Sequence, residues 1–379
     1  MSGTLNRTTP PSPAATVTAT TGLPVCRDAD SLHRLQLAWN SVVLAAALPL
    51  NAMALWVFVG PLRLRTVPSV YMANLAACDL LFALALPLRL LHSAAGGRWP
   101  LGDAPCRLAG CLFQLNMYGS CLFLAALNVD RYLALVRPLR SRRLRRRPVA
   151  WRVCGAAWAL MAVGSVPVAM AHGTSGCRGA NASRQLRCFE GFSDGDWRVE
   201  LLPLVVAAEL LGFVLPLAAV LYCSAQILGT LGPIGPAGPA NPEVREEAEE
   251  GRRRRRRRRR KTVLLLLVNA LIFVACFGPY NVALAVYALA RSDLLVLGQS
   301  SEEGLRQALQ VAILLSASNC CLDPLVYYYS TEGFRHTFWG WRRRGGGRRG
   351  TEMGTGRGTT LASRSYFRAP TQAQGESMV

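Results

Sequence analysis

Seven stretches of the chain are long, apolar and nearly free of charge: residues 35–59, 70–88, 108–129, 153–171, 201–228, 263–290 and 308–330. About 20 apolar residues of helix, rising ~1.5 Å each, cross the hydrocarbon core of a bilayer. Seven such runs in 379 residues are more than the buried helices of a soluble domain supply. In lipid, backbone N–H and C=O groups must be satisfied within the chain, so runs of this length become helices. The expected fold is an all-α membrane protein, a seven-transmembrane-helix bundle. The third run shows the pattern best. It is uncharged from Leu108 to Val129, begins just after Cys106 and closes on Asp130-Arg131-Tyr132.

Charge sets the orientation. A formal net charge of +21 would suggest a nucleic-acid partner for a soluble protein, but here the basic residues abut membrane spans, so no nucleic acid is expected. With the amino terminus extracellular and the carboxyl terminus cytoplasmic, thirty of the 43 Lys and Arg residues lie on the inner side, as the positive-inside rule requires. The reverse topology would put the nine arginines of residues 252–260 outside. The expected location is the plasma membrane.

Residues 1–31 are Thr-, Pro- and Ala-rich, lack the apolar core of a cleavable signal and read as a disordered extracellular terminus. The first span then serves as its own membrane signal. Asn6-Arg7-Thr8 and Asn181-Ala182-Ser183 are glycosylation acceptor patterns on the outer side. Eight of the twelve cysteines lie inside spans and read as small buried apolar residues. Cys26, Cys106, Cys177 and Cys188 lie outside, where disulfides persist. Four cysteines allow three pairings; the expected set is Cys106–Cys188 with Cys26–Cys177. No cysteine follows Cys321, so no palmitoylated tail is expected.

A membrane-spanning core is expected over residues 32–330. Within it, residues 229–261 form a third inner loop that is Gly- and Pro-rich, then acidic, then arginine-rich. A helix is expected to begin in the acidic block and run into span six. The arginine run reads as a topology anchor, with anionic lipid headgroups as a second use. Residues 331–342 carry Phe334, Phe338, Trp339 and Trp341 among basic residues, as in a short amphipathic eighth helix at membrane lipids. Residues 343–379 read as a disordered cytoplasmic tail. It ends Ser377-Met378-Val379, which suits strand addition to a PDZ-domain protein.

Asn51, Asp79, Asp130-Arg131-Tyr132, Trp158, Pro216, the Cys-Phe-Gly-Pro of residues 276–279 and the Asp-Pro-Leu-Val-Tyr of residues 323–327 stand one per span, in order. This ordered set resembles the rhodopsin-like G protein-coupled receptors. Phe277 stands where most members have tryptophan, as in the purinergic-like branch. Within that branch the chain is most similar to the lysophosphatidic acid receptors, on stretches such as FQLNMYGSC, NVDRYLALVRPLR and CFGPYN. The resemblance implies a lysophosphatidic acid agonist, heterotrimeric G proteins and arrestin as partners, and no catalytic activity. A nucleotide or another anionic lipid is the alternative agonist. One departure is Ser224 where the family has tyrosine, with Tyr222 offset, so a direct partnership of that tyrosine with Tyr327 is not expected.

Charge inside a span is costly and marks function. Arg89, His172, Arg291 and Arg306 project to the outer mouth, where guanidinium groups suit a phosphate monoester. Phe113, Tyr118 and Tyr280 are expected below them, around an acyl chain. Arg98, Arg178, Arg184 and Arg187 read as loop residues that only steer anions. Glu209, within span five, is left as either an interhelical contact or a ligand contact. Asp79, Ser120, Asn319 and Asp323 offer hard oxygen ligands at similar depth; the resemblance implies an allosteric sodium ion there, the alternative being a metal-free polar cluster. Arg131 beside Asp130 and Tyr132 is the expected activation switch. Asp130 is expected to hold Arg131 at rest, with span six swinging about Pro279 beneath Phe277 and freeing Arg131 and Tyr327. Other functions fit less well. A retinal pump needs a lysine in span seven, and the only lysine is Lys261. An intramembrane hydrolase would have only Asp79 with Asp323, and no histidine joins them.

Overall fold

The computed structural model describes residues 30–171, 173–178, 184–188, 197–230, 242–330 and 334–335. Seven helices in it are long and apolar enough to cross a membrane: α1 Asp30–Val59, α2 Val67–Ala94, α3 Asp103–Leu135 and α4 Arg147–Ala171, then α5 Leu202–Thr230, α6 Glu250–Arg291 and α7 Gln299–Tyr328. The chain is a multi-pass membrane protein. α1 packs on α2 and α7, α2 on α3, α3 on α4 and α5, and α6 on α7. Side-chain exposure supports a lipid setting. Val42 is 68% exposed and Val163 71%, while Asn51, Asp79, Ser120, Asn319 and Asp323 are all fully buried. A water-soluble bundle sorts its residues the other way.

Local chemistry explains the ends and irregularities. α2 starts on a reciprocal capping box between Thr66 and Ser69, with a proline in its first turn, which satisfies two otherwise orphaned backbone donors. Pro216 and Pro279 each follow a π-helical turn, Glu209–Val214 in α5 and Ile272–Phe277 in α6. A proline ring clashes with the carbonyl four residues back and leaves it without a donor; the wider turn absorbs both. The irregularity expected at Pro279 therefore includes the preceding turn, Ile272–Phe277. The helix of α6 also extends back to Pro242, so the acidic block and the arginine run are helical. α7 breaks between Ala317 and Asn319.

Between α4 and α5 a β-hairpin pairs β1, Ser175–Arg178, with β2, Arg184–Arg187, in antiparallel register. It is tied down twice. Cys188 is disulfide-bonded to Cys106 at the start of α3, as the sequence suggested, and the Trp99 N–H donates to the Leu186 carbonyl at 2.8 Å. Cys177 is also disulfide-bonded; its expected partner Cys26 lies outside the described residues. So do Asn6, Asn181, His172, the tail Ser377-Met378-Val379 and most of the expected eighth helix. Of that helix, Phe334 is described and stacks on Phe58 with ring centroids 5.4 Å apart.

Candidate functional site

At the hairpin end of the bundle, α2 carries Arg89 one turn before its close. Pro87, two residues earlier inside α2, removes one ladder hydrogen bond there. The Arg89 guanidinium lies over the Phe113 ring, 4.8 Å from its centroid, a cation–π contact that holds the charge in an otherwise apolar wall. Phe113 in turn meets Tyr280 edge-on at 5.5 Å and Phe82 at 5.9 Å. Arg89 thus lines one cavity and, through Phe113 and Tyr280, adjoins a second.

The first cavity is apolar, about 200 Å³ between α3, α4, α5 and α6. Tyr118 and Tyr280 line it with Leu160, Val205, Leu211 and Leu284. Phe113 is its partition from Arg89 rather than its lining. Gly212 shapes the cavity: a Cβ there would stand 2.4 Å from the Tyr118 ring, so only glycine lets α5 approach α3 this closely. Glu209, one turn earlier in α5, lies within electrostatic range of Tyr118 and Tyr280, and its Oε1 is buried without a hydrogen bond.

The second cavity is polar and lies between α1, α2 and α7, lined by His33, Gln36, Asn40, Arg89, His92 and Gln310 among others. Arg291 closes α6 and Arg306 lies in the second turn of α7, but neither lines this cavity. Arg306 is ion-paired with Glu302 at 3.7 Å. Of the four expected rim cations, Arg89 is the one that lines this polar cavity, among the described residues. Arg187 is a correction. Expected to be a steering residue in a loop, it is 2% exposed, because the disulfide at Cys188 pulls the end of β2 into the bundle.

Deeper, the four expected oxygen ligands cluster. Asp79 Oδ1 accepts from Asn116 Nδ2 at 2.8 Å, and Asn319 Nδ2 donates to Ser120 Oγ at 2.9 Å. Asp323 lies beside Asp79. Asp79 Oδ2 and both Asp323 carboxylate oxygens are fully buried without a hydrogen bond of normal geometry. Two carboxylates this close repel unless a proton or a cation sits between them. The donor set of hard oxygens fits a small cation. Asn116 was not anticipated, though it lies one helical turn before Ser120 on the same face.

At the other end, Asp130 is 4% exposed and takes a forked ion pair from Arg145, Nε to Oδ1 at 2.9 Å and Nη2 to Oδ2 at 3.5 Å. Arg145 belongs to the loop between α3 and α4, and Ser141 braces that loop by donating to the Leu133 carbonyl at 2.7 Å. Arg131 lies within electrostatic range of both Asp130 and Arg145. Tyr222 does not reach Tyr327; it packs against Tyr132 with centroids 5.9 Å apart. Tyr327 is fully buried against Phe58, and Phe277 is fully buried against Phe273.

Residues 50–327 match the family described as 7 transmembrane receptor (rhodopsin family). The chain belongs to the rhodopsin family of seven-transmembrane receptors. Among its relatives, the lysophosphatidic acid receptor 5 of Bos taurus is 51% identical over 84% of this chain and 81% of that protein. The Mus musculus protein of the same name is 49% identical over 86% of this chain and 82% of its own length. The lysophosphatidic acid receptor 6 of Gallus gallus is 34% identical over 77% of this chain and 88% of its own. The family match takes in α2 to α7 of this rhodopsin-family receptor, and with them the apolar cavity, the acid cluster and the Asp130 end.

Proposed function

We propose that the chain is a plasma-membrane receptor for lysophosphatidic acid, with its amino terminus outside, that activates heterotrimeric G proteins and has no catalytic activity. The observation that carries this reading is Arg89 in a polar cavity, with Phe113 between it and the Tyr280 of an apolar cavity. A lysophospholipid has one phosphate monoester and one long chain, and this arrangement offers each its own setting. The phosphate takes charge-assisted hydrogen bonds from Arg89, with Arg291, Arg306 and His172 adding positive potential at the rim. The chain lies against Tyr118 and Tyr280. The names of relatives about 50% identical support the same agonist. A nucleotide would leave the apolar cavity empty, which disfavours that alternative. Arrestin at the inner face, a PDZ-domain protein at the tail and glycans at Asn6 and Asn181 belong to the same reading. The test is a panel of lysophospholipids and nucleotides on expressing cells, read by calcium and cyclic-AMP responses. Potency should depend on both phosphate and chain length; a strong response to a phosphate-free lipid alone would sink the reading.

Gly212→Ala tests the tail assignment. The added methyl must displace the Tyr118 ring, narrowing the apolar cavity. Potency of an 18-carbon agonist should fall about tenfold, the equivalent of ~1.4 kcal/mol, with a smaller loss for a 12-carbon one. Equal potency losses would show that Tyr118 does not touch the chain.

We further propose that Asp79, Ser120, Asn319 and Asp323 hold a sodium ion that favours the resting receptor. The ion would supply only the charge that offsets the two carboxylates. Replacing external sodium with a bulky organic cation should raise agonist potency a few-fold, as expected when an ion stabilises one state of a two-state equilibrium. Asp79→Asn should erase that dependence; a salt effect that survives the substitution would move the ion elsewhere.

A further inference from the structure

We propose that the polar corner between α1, α2 and α7, with the end of β2 beside it, holds the phosphate of the agonist, and that His33 and Arg187 bind it opposite Arg89. This deepens, and rests on, the reading of lysophosphatidic acid as agonist. His33 is the observation that points to a ligand. It is 6% exposed, it lines the cavity, and neither ring nitrogen has a hydrogen bond. A buried polar group left unsatisfied is costly, and a bound acceptor offsets that cost.

The geometry around His33 suits one tetrahedral oxyanion. Gly97 adopts φ +84°, and a Cβ on it would stand 2.8 Å from His33 Nε2 and 3.0 Å from Arg187 Nη1. The two nitrogens therefore lie within about 6 Å of each other, both beside Gly97. Two oxygens of a single phosphate bridge donors at that separation with hydrogen bonds of ~2.8 Å. His92 meets His33 edge-on, centroids 5.8 Å apart, and lies within electrostatic range of Arg89 and Arg187. Gln36, Asn40, Ser93 and Gln310 add neutral polar groups to the lining, in which no carboxylate appears among the described residues. Cationic and imidazole groups gathered this closely repel one another when charged, and an oxyanion between them relieves that repulsion. The corner is also built in advance. Cys188, next to Arg187, is bonded to Cys106, and Leu186 is held by Trp99, so little ordering is required on binding.

The experiment uses the full chain, tagged for surface counting, as wild type, His33→Gln, Arg187→Gln and Arg89→Ala. The agonists are lysophosphatidic acid and its methyl phosphodiester, which lacks the second anionic oxygen. His33→Gln and Arg187→Gln should each lower potency of the monoester about tenfold, the scale of one charge-assisted hydrogen bond, and barely change the diester. Should Arg187→Gln be retained inside the cell, Arg187→Lys, which keeps the charge but loses the fork, carries the same expectation. Unchanged potency in both variants, or equal losses for the two agonists, would overturn the assignment. Free inorganic phosphate at millimolar concentration should leave the wild-type response unchanged. Modulation by free phosphate that disappears in His33→Gln would make the corner a site for the free ion and overturn its assignment to the lipid. The two readings fail separately. Sensitivity of Arg89→Ala alone sinks the corner and spares the agonist, whereas a wild type deaf to lysophosphatidic acid sinks the agonist itself.

Discussion

Arg89→Ala is expected to reduce the potency of lysophosphatidic acid at least a hundredfold at unchanged surface abundance. The side chain is held by its stacking over Phe113, so its charge is placed before the ligand arrives and little rotamer entropy is lost on binding. A hydrogen bond to a charged group is worth about 1.5–3 kcal/mol, and a forked guanidinium makes two. Each ~1.4 kcal/mol is tenfold in affinity. The same substitution removes the cation facing Phe113, so some loss would follow from packing alone. Arg89→Lys separates the two effects. It keeps a charge and an aliphatic stem but not the planar fork, and should recover roughly a tenth of wild-type potency. Binding of labelled lysophosphatidic acid to membranes, run beside the signalling assay, checks that affinity is what changes. Wild-type affinity in Arg89→Ala would move the phosphate away from this position.

The parts of this molecule that could be read from its sequence are those fixed by local chemistry. Helix positions follow from apolar length, and the helices overrun the apolar runs, at Asp30 and Arg147 for example, because charged turns at a membrane surface remain helical in water. Arg89 and the Asp79–Asp323 pair were legible because charge within a span is too costly to be incidental. Arg187 was not, because its burial comes from a disulfide 82 residues long in sequence and a hairpin register, both non-local. His33 was hidden for a related reason: a histidine at the edge of a span looks like an ordinary flank until α2 and α7 close around it. Arg145 was one of eight arginines in its segment, and nothing in their spacing singled out the one that reaches Asp130. The π-helical turns leave no mark beyond the prolines that follow them.

The Asp130–Arg145 pair leads to two substitutions with opposite outcomes. Asp130 is 3% exposed at its side chain and Arg145 34%, so the pair is partly shielded and stronger than a surface bridge. Arg131 lies within electrostatic range of the same carboxylate. Arg145 and Arg131 therefore compete for one partner. Asp130→Asn removes that partner from both. Arg131 is then held less firmly, and signalling without agonist should rise about tenfold, a coupling of ~1.4 kcal/mol within the range usual for such switches. Arg145→Ala leaves the carboxylate wholly to Arg131, which should be held more firmly. Basal signalling should then fall and agonist potency drop about tenfold, although both variants lose the same ion pair. Guanine-nucleotide exchange on a co-expressed G protein, normalised to surface receptor, measures both. If the two variants shift basal activity in the same direction, Arg145 serves only to brace the loop with Ser141, and Arg131 takes its resting restraint from another residue.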